Sequence, residues 1–220
     1  YCGPVRFATR NPYSFISFPI TGTSWANRGI NNAGLTVGIS SQILPGLKRM
    51  RNAVVQDVAI RAMLQTCATV TDVREFCLKF PFTINLVCAD AAGDIFCAQQ
   101  TAAGLREMKV RDACALTNHI LDEETKQWLS KYGATDFPQS PTTVPRRNKL
   151  LHFIEAANGK CTAEEVMTLI ARRDDSDPGS INNNGTIYLT YACPQAEKST
   201  FWVLQPRLIE NAYEFLPFVV

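Results

Sequence analysis

The chain has 220 residues, 46% hydrophobic and 19% charged, with a formal net charge of +2. These are the proportions of a globular protein with room for one sizeable core, not of a disordered or fibrous chain. Basic and acidic residues are well mixed, and the clusters Lys48-Arg49-Met50-Arg51 and Arg146-Arg147-Asn148-Lys149 are short and not interleaved with aromatics, so nucleic acid is not an expected partner.

Val5 to Ile20 is rich in aromatic and β-branched residues and broken by Asn11-Pro12, which predicts two extended segments. Ile30 to Ser40 reads as a hairpin, with Asn31-Asn32-Ala33-Gly34 supplying turn residues that tolerate positive φ. Between Ala53 and Cys67 the apolar positions Val55, Val58, Ala59, Ala62 and Met63 recur at three- and four-residue steps, the stripe of an amphipathic helix. Thr71 offers a cap for a second helix running to Lys79.

Thr83 to Ala89 and Ile95 to Gln100 flank Asp90-Ala91-Ala92-Gly93-Asp94, a strand pair closed by a Gly-containing loop, and the meander continues through Leu105–Val110 and Ala113–Leu116. A helix is predicted from Pro145, as a first helical residue, to a stop at Gly159, and Thr162-Ala163-Glu164-Glu165 is a capping box opening another. Residues 174–185 form a polar loop before a last hairpin, Thr186–Tyr191 and Thr200–Gln205, around Pro194-Gln195. The order strands, helix pair, strands, helix pair, strands predicts stacked antiparallel sheets covered by helices in a single α+β domain over residues 1–220.

No apolar run approaches the roughly 18–20 residues that span a bilayer, and the C-terminal Phe215–Val220 is short and contains Pro217. Eight cysteines are spread evenly with no C-x-x-C spacing, which disfavours zinc; metal is not expected, and no other cofactor is called for. Cys67, Cys88 and Cys114 sit among apolar neighbours and read as reduced core thiols. This leans toward the cytoplasm but leaves the compartment open, as Asn184-Gly185-Thr186 does not decide for secretion.

Chemistry is concentrated at Thr117-Asn118-His119, where a carboxamide and an imidazole follow the apolar run Ala113–Leu116. An amide N–H can hold an oxyanion without first being ionised. The alternative is an Asn and a His that satisfy a loop backbone.

The ordered set Gly29-Ile30-Asn31-Asn32-Ala33-Gly34-Leu35-Thr36-Val37, Arg61-Ala62-Met63-Leu64, Asn85 through Gly93, Thr117-Asn118-His119, Thr143-Val144-Pro145-Arg146-Arg147-Asn148-Lys149-Leu150 and Thr186 to Pro206 resembles the acyl-coenzyme A:6-aminopenicillanate acyltransferase family. Those proteins are relatives of the bile-salt and penicillin V hydrolases among the N-terminal-nucleophile hydrolases. The resemblance implies a four-layer αββα fold and cleavage or transfer of an acyl group at an amide bond through a cysteine thioester. The nucleophilic Cys is freed by autocatalytic cleavage or removal of a preceding segment, and its own α-amino group is the base.

Carried onto this sequence, the resemblance makes Asn118 an oxyanion-hole amide and Arg146 a cation beside the nucleophile. Thr143 stands where the family has Ser, and Thr143 and His119 are expected to face the substrate. Cys2 is the candidate nucleophile. A guanidinium nearby favours thiolate over thiol. For Arg146 a solvent-facing place in a first helical turn stays open, and for His119 a hydrogen-bonding role beneath the loop or a thiol-protease pairing with a Cys.

The amino end departs from the family. Arg10-Asn11-Pro12-Tyr13 lacks the Asp of the family's Arg-Asn-x-Asp, and Tyr1 acylates the amine of Cys2. A second register places the nucleophile upstream, on a companion amino-terminal peptide. The expected partner is a small N-acyl amide or acyl-thioester substrate; oligomeric state stays open. A catalytically silent binding or structural domain on the same scaffold is the rival reading.

Overall fold

A computed structural model describes residues 5–8, 12–18, 26–42, 53–101, 103–131, 142–183, 189–195, 198–204 and 216–220. Cys2, the cluster Lys48-Arg49-Met50-Arg51 and Asn184-Gly185-Thr186 lie outside the described residues.

Seven strands follow one another in sequence and in space: β1 (Val5–Phe7), β2 (Phe15–Ser17), β3 (Gly29–Asn31), β4 (Thr36–Ser40), β5 (Ile84–Ala89), β6 (Ile95–Thr101) and β7 (Gly104–Glu107). Every pairing is antiparallel. Side chains alternate between the two faces as the pleat requires. Phe15, Val37, Ile84, Leu86 and Cys88 point to one face, where they pack against Ala59, Ile60, Met63 and Leu64 of α1 (Gln56–Thr66) and Val73 and Cys77 of α2 (Val70–Lys79).

Ile16 and Ile30 point the other way and meet Phe201 and Val203 of a second sheet. That sheet is three-stranded, in the order β10 (Leu216–Val219), β9 (Thr200–Leu204), β8 (Leu189–Cys193). Pro217 lies in β10, an edge strand, where its missing N–H does not break a ladder. α5 (Ala163–Ala171) lies against β8. The layers therefore run helices, sheet, sheet, helix, the αββα arrangement that the family resemblance implies and that fits the stacked, helix-covered sheets expected from the order of elements. No helix among the described residues is long and apolar enough to cross a membrane.

Several local details differ from the sequence reading. The cap of α2 is Thr69, not Thr71: Thr69 Oγ1 accepts from Asp72 N at 3.2 Å, while Asp72 Oδ2 accepts from Thr69 N at 2.9 Å. Asp90 Oδ2 also accepts from Val70 N at 3.0 Å, which ties this helix start to the β5–β6 turn. Ala113–Leu116 is not a strand, and a further helix, α3 (Glu123–Lys131), follows it. Pro145 is the third residue of α4 (Thr143–Ala157), not the first; the helix stops at Asn158 and Gly159, both at positive φ (46° and 73°). In the polar loop after α5, Ser180 and Asn182 are buried rather than solvated, with Ser180 Oγ donating to Asn182 O and Asn182 Nδ2 to Ala171 O.

Candidate active site

The site begins in the sandwich between the sheets. Asn85 on β5 and Gln99 on β6 are direct cross-strand partners on the inward face, 1% exposed each. Buried amides must find partners. Asn85 Nδ2 donates to Thr117 O at 2.5 Å, and Gln99 Nε2 donates to Asn85 Oδ1 at 2.7 Å and to His119 O at 2.9 Å. Gln99 Oε1 accepts from Leu121 N at 2.7 Å. The chain from 117 to 121 is thus hung on two sheet carboxamides instead of a strand ladder, which is why the Ala113–Leu116 run does not extend the meander.

From the other side α4 closes on the same segment. Thr143 Oγ1 accepts from Asn118 N at 3.0 Å, and the Thr117 hydroxyl donates to Thr143 O at 2.9 Å. His119 Nδ1 lies 3.0 Å from Thr117 Oγ1 and 3.1 Å from Thr143 Oγ1. Since the Thr117 hydroxyl proton goes to the Thr143 carbonyl, the imidazole contact to Thr117 requires Nδ1–H as donor. One helical residue further on, Arg147 Nε donates to Ala115 O at 3.2 Å.

These anchors fix the Asn118 side chain. Its Oδ1 accepts from Arg146 Nη2 at 2.9 Å and its Nδ2 donates to Ser41 O at 2.9 Å. The second Nδ2 hydrogen has no partner among the described residues. Burial draws the Arg146 guanidinium below its usual range. Asn118 and Arg146 line a cavity of about 400 Å³ together with Arg28, Ser40, Ser41 and Leu116. Arg28, Ser40 and Leu116 also line a neighbouring space of about 280 Å³, walled by Val37, Val87 and Phe201 between the sheets.

Of the five residues singled out in the sequence, Asn118 and Arg146 come together on the cavity wall, while Thr143 and His119 stand behind them, 1% and 9% exposed. Cys2 lies outside the described residues. None of the seven described cysteines lines either cavity. Burial raises Cys67 to about 11 and Cys77 to about 12, and raises Cys88 well above the ordinary thiol range, so these stay protonated and apolar near neutral pH. Cys97 is raised by its hydrogen bond with Cys114 and by burial.

Asn85, Gln99 and Arg28 are the site residues that sequence reasoning passed over. For Asn85 and Gln99 a signal was two carboxamides facing each other on the β5–β6 hairpin, at positions that alternation assigns to a single face.

A family model described as acyl-coenzyme A:6-aminopenicillanic acid acyl-transferase matches residues 5–206. No curated protein matches the sequence significantly. Among solved structures, a variant of conjugated bile acid hydrolase from Clostridium perfringens superposes with a TM-score of 0.61 at 12% identity, covering 94% of this chain and 77% of that one. Penicillin V acylase from Agrobacterium tumefaciens gives a TM-score of 0.57 at 14% identity, covering 96% and 70%. At such identities the likeness is one of fold.

Proposed function

The chain belongs to the acyl-coenzyme A:6-aminopenicillanic acid acyl-transferase family, amide hydrolases and acyltransferases of the N-terminal-nucleophile type, and on that premise we propose that it acts through a cysteine thioester on a small N-acyl substrate. The observation that carries the proposal is the Arg146–Asn118 hydrogen bond of 2.9 Å on a cavity wall.

The thiolate of Cys2 attacks the acyl carbonyl carbon, and the carbonyl electron pair moves onto oxygen. The free Nδ2 hydrogen of Asn118 stabilises that oxyanion, and the Arg146 guanidinium holds the carboxamide in place and favours the ionised thiol. The C–N bond then breaks. The leaving amine takes the proton that the α-amino group of the same cysteine removed from the thiol. Water or an acceptor amine next attacks the thioester carbonyl and releases the thiol. This scheme requires the Cys2 amine to be free of Tyr1. Thr143 and His119 act by holding Asn118, a role supported by their burial behind it.

The test is incubation of the native protein with N-acyl amino acids and acyl-coenzyme A esters, combined with intact mass and N-terminal sequencing. Acyl release or transfer, with a covalent acyl adduct on an N-terminal Cys2, is the expected result. No release, no transfer and no adduct on any cysteine overturns it.

A second reading, a catalytically silent binding domain on this scaffold, is favoured by the absence of any described cysteine from the cavity lining. It predicts saturable binding of the same compounds without turnover.

A further inference from the structure

We propose that Cys97 on β6 and Cys114, in the segment leading to Asn118, form an oxidisable dithiol, a modification site at which a hydroperoxide installs an intramolecular disulfide. Cys97 and Gln99 are alternate residues of one strand and so share a face. On that face lies the chain from 115 to 121: Gln99 Nε2 donates to His119 O, Gln99 Oε1 accepts from Leu121 N, and Asn85 Nδ2 donates to Thr117 O. Arg147 Nε adds a bond to Ala115 O at 3.2 Å. These anchors bring Cys114 onto Cys97, and the two thiols are hydrogen-bonded to each other. Cys88 turns to the opposite, helix-covered face with Phe96 and Ala98.

The two cysteines differ in the way a stepwise oxidation needs. Cys97 is buried and held in the ladder, opposite Val87 of β5, with its carbonyl accepting from Met108 N at 2.8 Å. Cys114 is half-buried, lies outside any strand or helix, and directly follows the exposed residues Arg111, Asp112 and Ala113. The bond from the Cys97 thiol draws the Cys114 pKa below the ordinary thiol value, and the Arg147 guanidinium opposes the rise at Cys97. Thiolate is the reactive form, so Cys114 is the sulfur that an oxidant meets first. Its sulfur attacks one oxygen of the peroxide, the O–O bond breaks, and the departing hydroxide takes the Cys97 proton as water. The Cys97 sulfur then attacks the Cys114 sulfenic sulfur, the S–S bond forms and the S–O bond breaks, and that hydroxide leaves as water with the proton Cys114 first gave to solvent. Two thiols lose two electrons and one hydrogen peroxide becomes two waters. A pair already side by side needs a small approach to reach bonding distance, and the irregular segment around Cys114 can supply it. Neither cysteine lines the cavity beside Asn118, so this chemistry stands apart from the acyl reading.

The reduced full chain is treated with hydrogen peroxide, quenched with N-ethylmaleimide and digested with trypsin without reductant, which separates residues 80–106 from 112–126. The expected result is a disulfide between these two peptides, removed by dithiothreitol, kept in Cys88→Ala and absent from Cys97→Ala and Cys114→Ala. The linked chain should unfold about 5 °C or more above the reduced one, because the bond restricts the unfolded chain. No link in the parent overturns the proposal, as does a link that survives Cys97→Ala or one that forms only after denaturation in urea. A linked chain that unfolds below the reduced one also overturns it, since the bond would then be forced on the native geometry. Should Cys97→Ala fail to fold, Cys88→Ala decides: Cys97 is then the sole cysteine of the 80–106 peptide, and loss of the link there overturns the assignment.

Discussion

Arg146 Nη2 donates to Asn118 Oδ1 across 2.9 Å, while the nitrogen of the same carboxamide donates to Ser41 O. The two contacts fix which end of the amide is oxygen, and a cation on Oδ1 polarises the group so that its remaining N–H is a stronger donor.

Asn118→Ala should therefore lower kcat by about 10²–10³ with little change in KM, because the lost contact forms only as negative charge develops on the carbonyl oxygen. Steady-state kinetics check this, and an equal fall in binding of an unreactive analogue would refute it. Asn118 makes one backbone contact through its N–H that alanine retains, so the fold should persist.

Gln99→Leu should destabilise the protein by about 2–4 kcal/mol, since it removes the buried bonds to Asn85 Oδ1, His119 O and Leu121 N and leaves Leu121 N without its acceptor. Urea unfolding measures the loss. Activity should fall as well, because the 117–121 segment loses one of its two sheet anchors and keeps only Asn85.

Asp122→Ala tests α3. The Asp122 carboxylate accepts from the Thr125 hydroxyl at 2.6 Å and from Thr125 N at 2.7 Å, and these bonds, with Arg106 nearby, hold its pKa below the ordinary value of 3.8. A depressed carboxylate contributes stability that is present above the unfolded pKa and is lost as pH falls through the folded one. The variant should cost about 1 kcal/mol at pH 7, the usual magnitude for an N-cap. The difference from the parent should shrink as pH drops below 3.8, which paired unfolding curves would show.

Gly29→Ala should cost about 1–3 kcal/mol, an overpacking effect. A Cβ there would collide with the Ile16 carbonyl and approach Leu64 Cδ1 to 2.9 Å, where β2 and β3 press against α1. Gly38→Ala is the control on the next strand, since its Cβ would meet only Val87 O at an ordinary 3.6 Å. Thermal unfolding of the two variants should separate them clearly.

Much of the fold was legible because its signals are local. The Asn31–Gly34 turn gives the β3–β4 hairpin, with Asn31 Oδ1 accepting from Ala33 N and Leu35 N and Gly34 at φ 85°. The Thr162–Glu165 capping box opens α5 as read. α3 escaped notice because Glu-Glu-Thr-Lys-Gln-Trp-Leu-Ser-Lys buries only Thr125 and Leu129, too narrow a stripe to register as periodic. Thr71 was a reasonable cap by composition, but Thr69 has the acidic residue three positions on that completes the reciprocal bonds.

In the site, Asn118 and Arg146 were found through the motifs around them. Asn85 and Gln99 were not, because a polar residue on a strand normally reads as solvent-facing, and here the 117–121 segment laid over them makes their face an interior.

Carboxamides neither gain nor lose a proton in ordinary buffers, so the Asn85–Gln99 cradle keeps one electrostatic state wherever the fold survives. Inflections in a pH–rate profile will then report the attacking groups, with no contribution from a titrating framework beneath them.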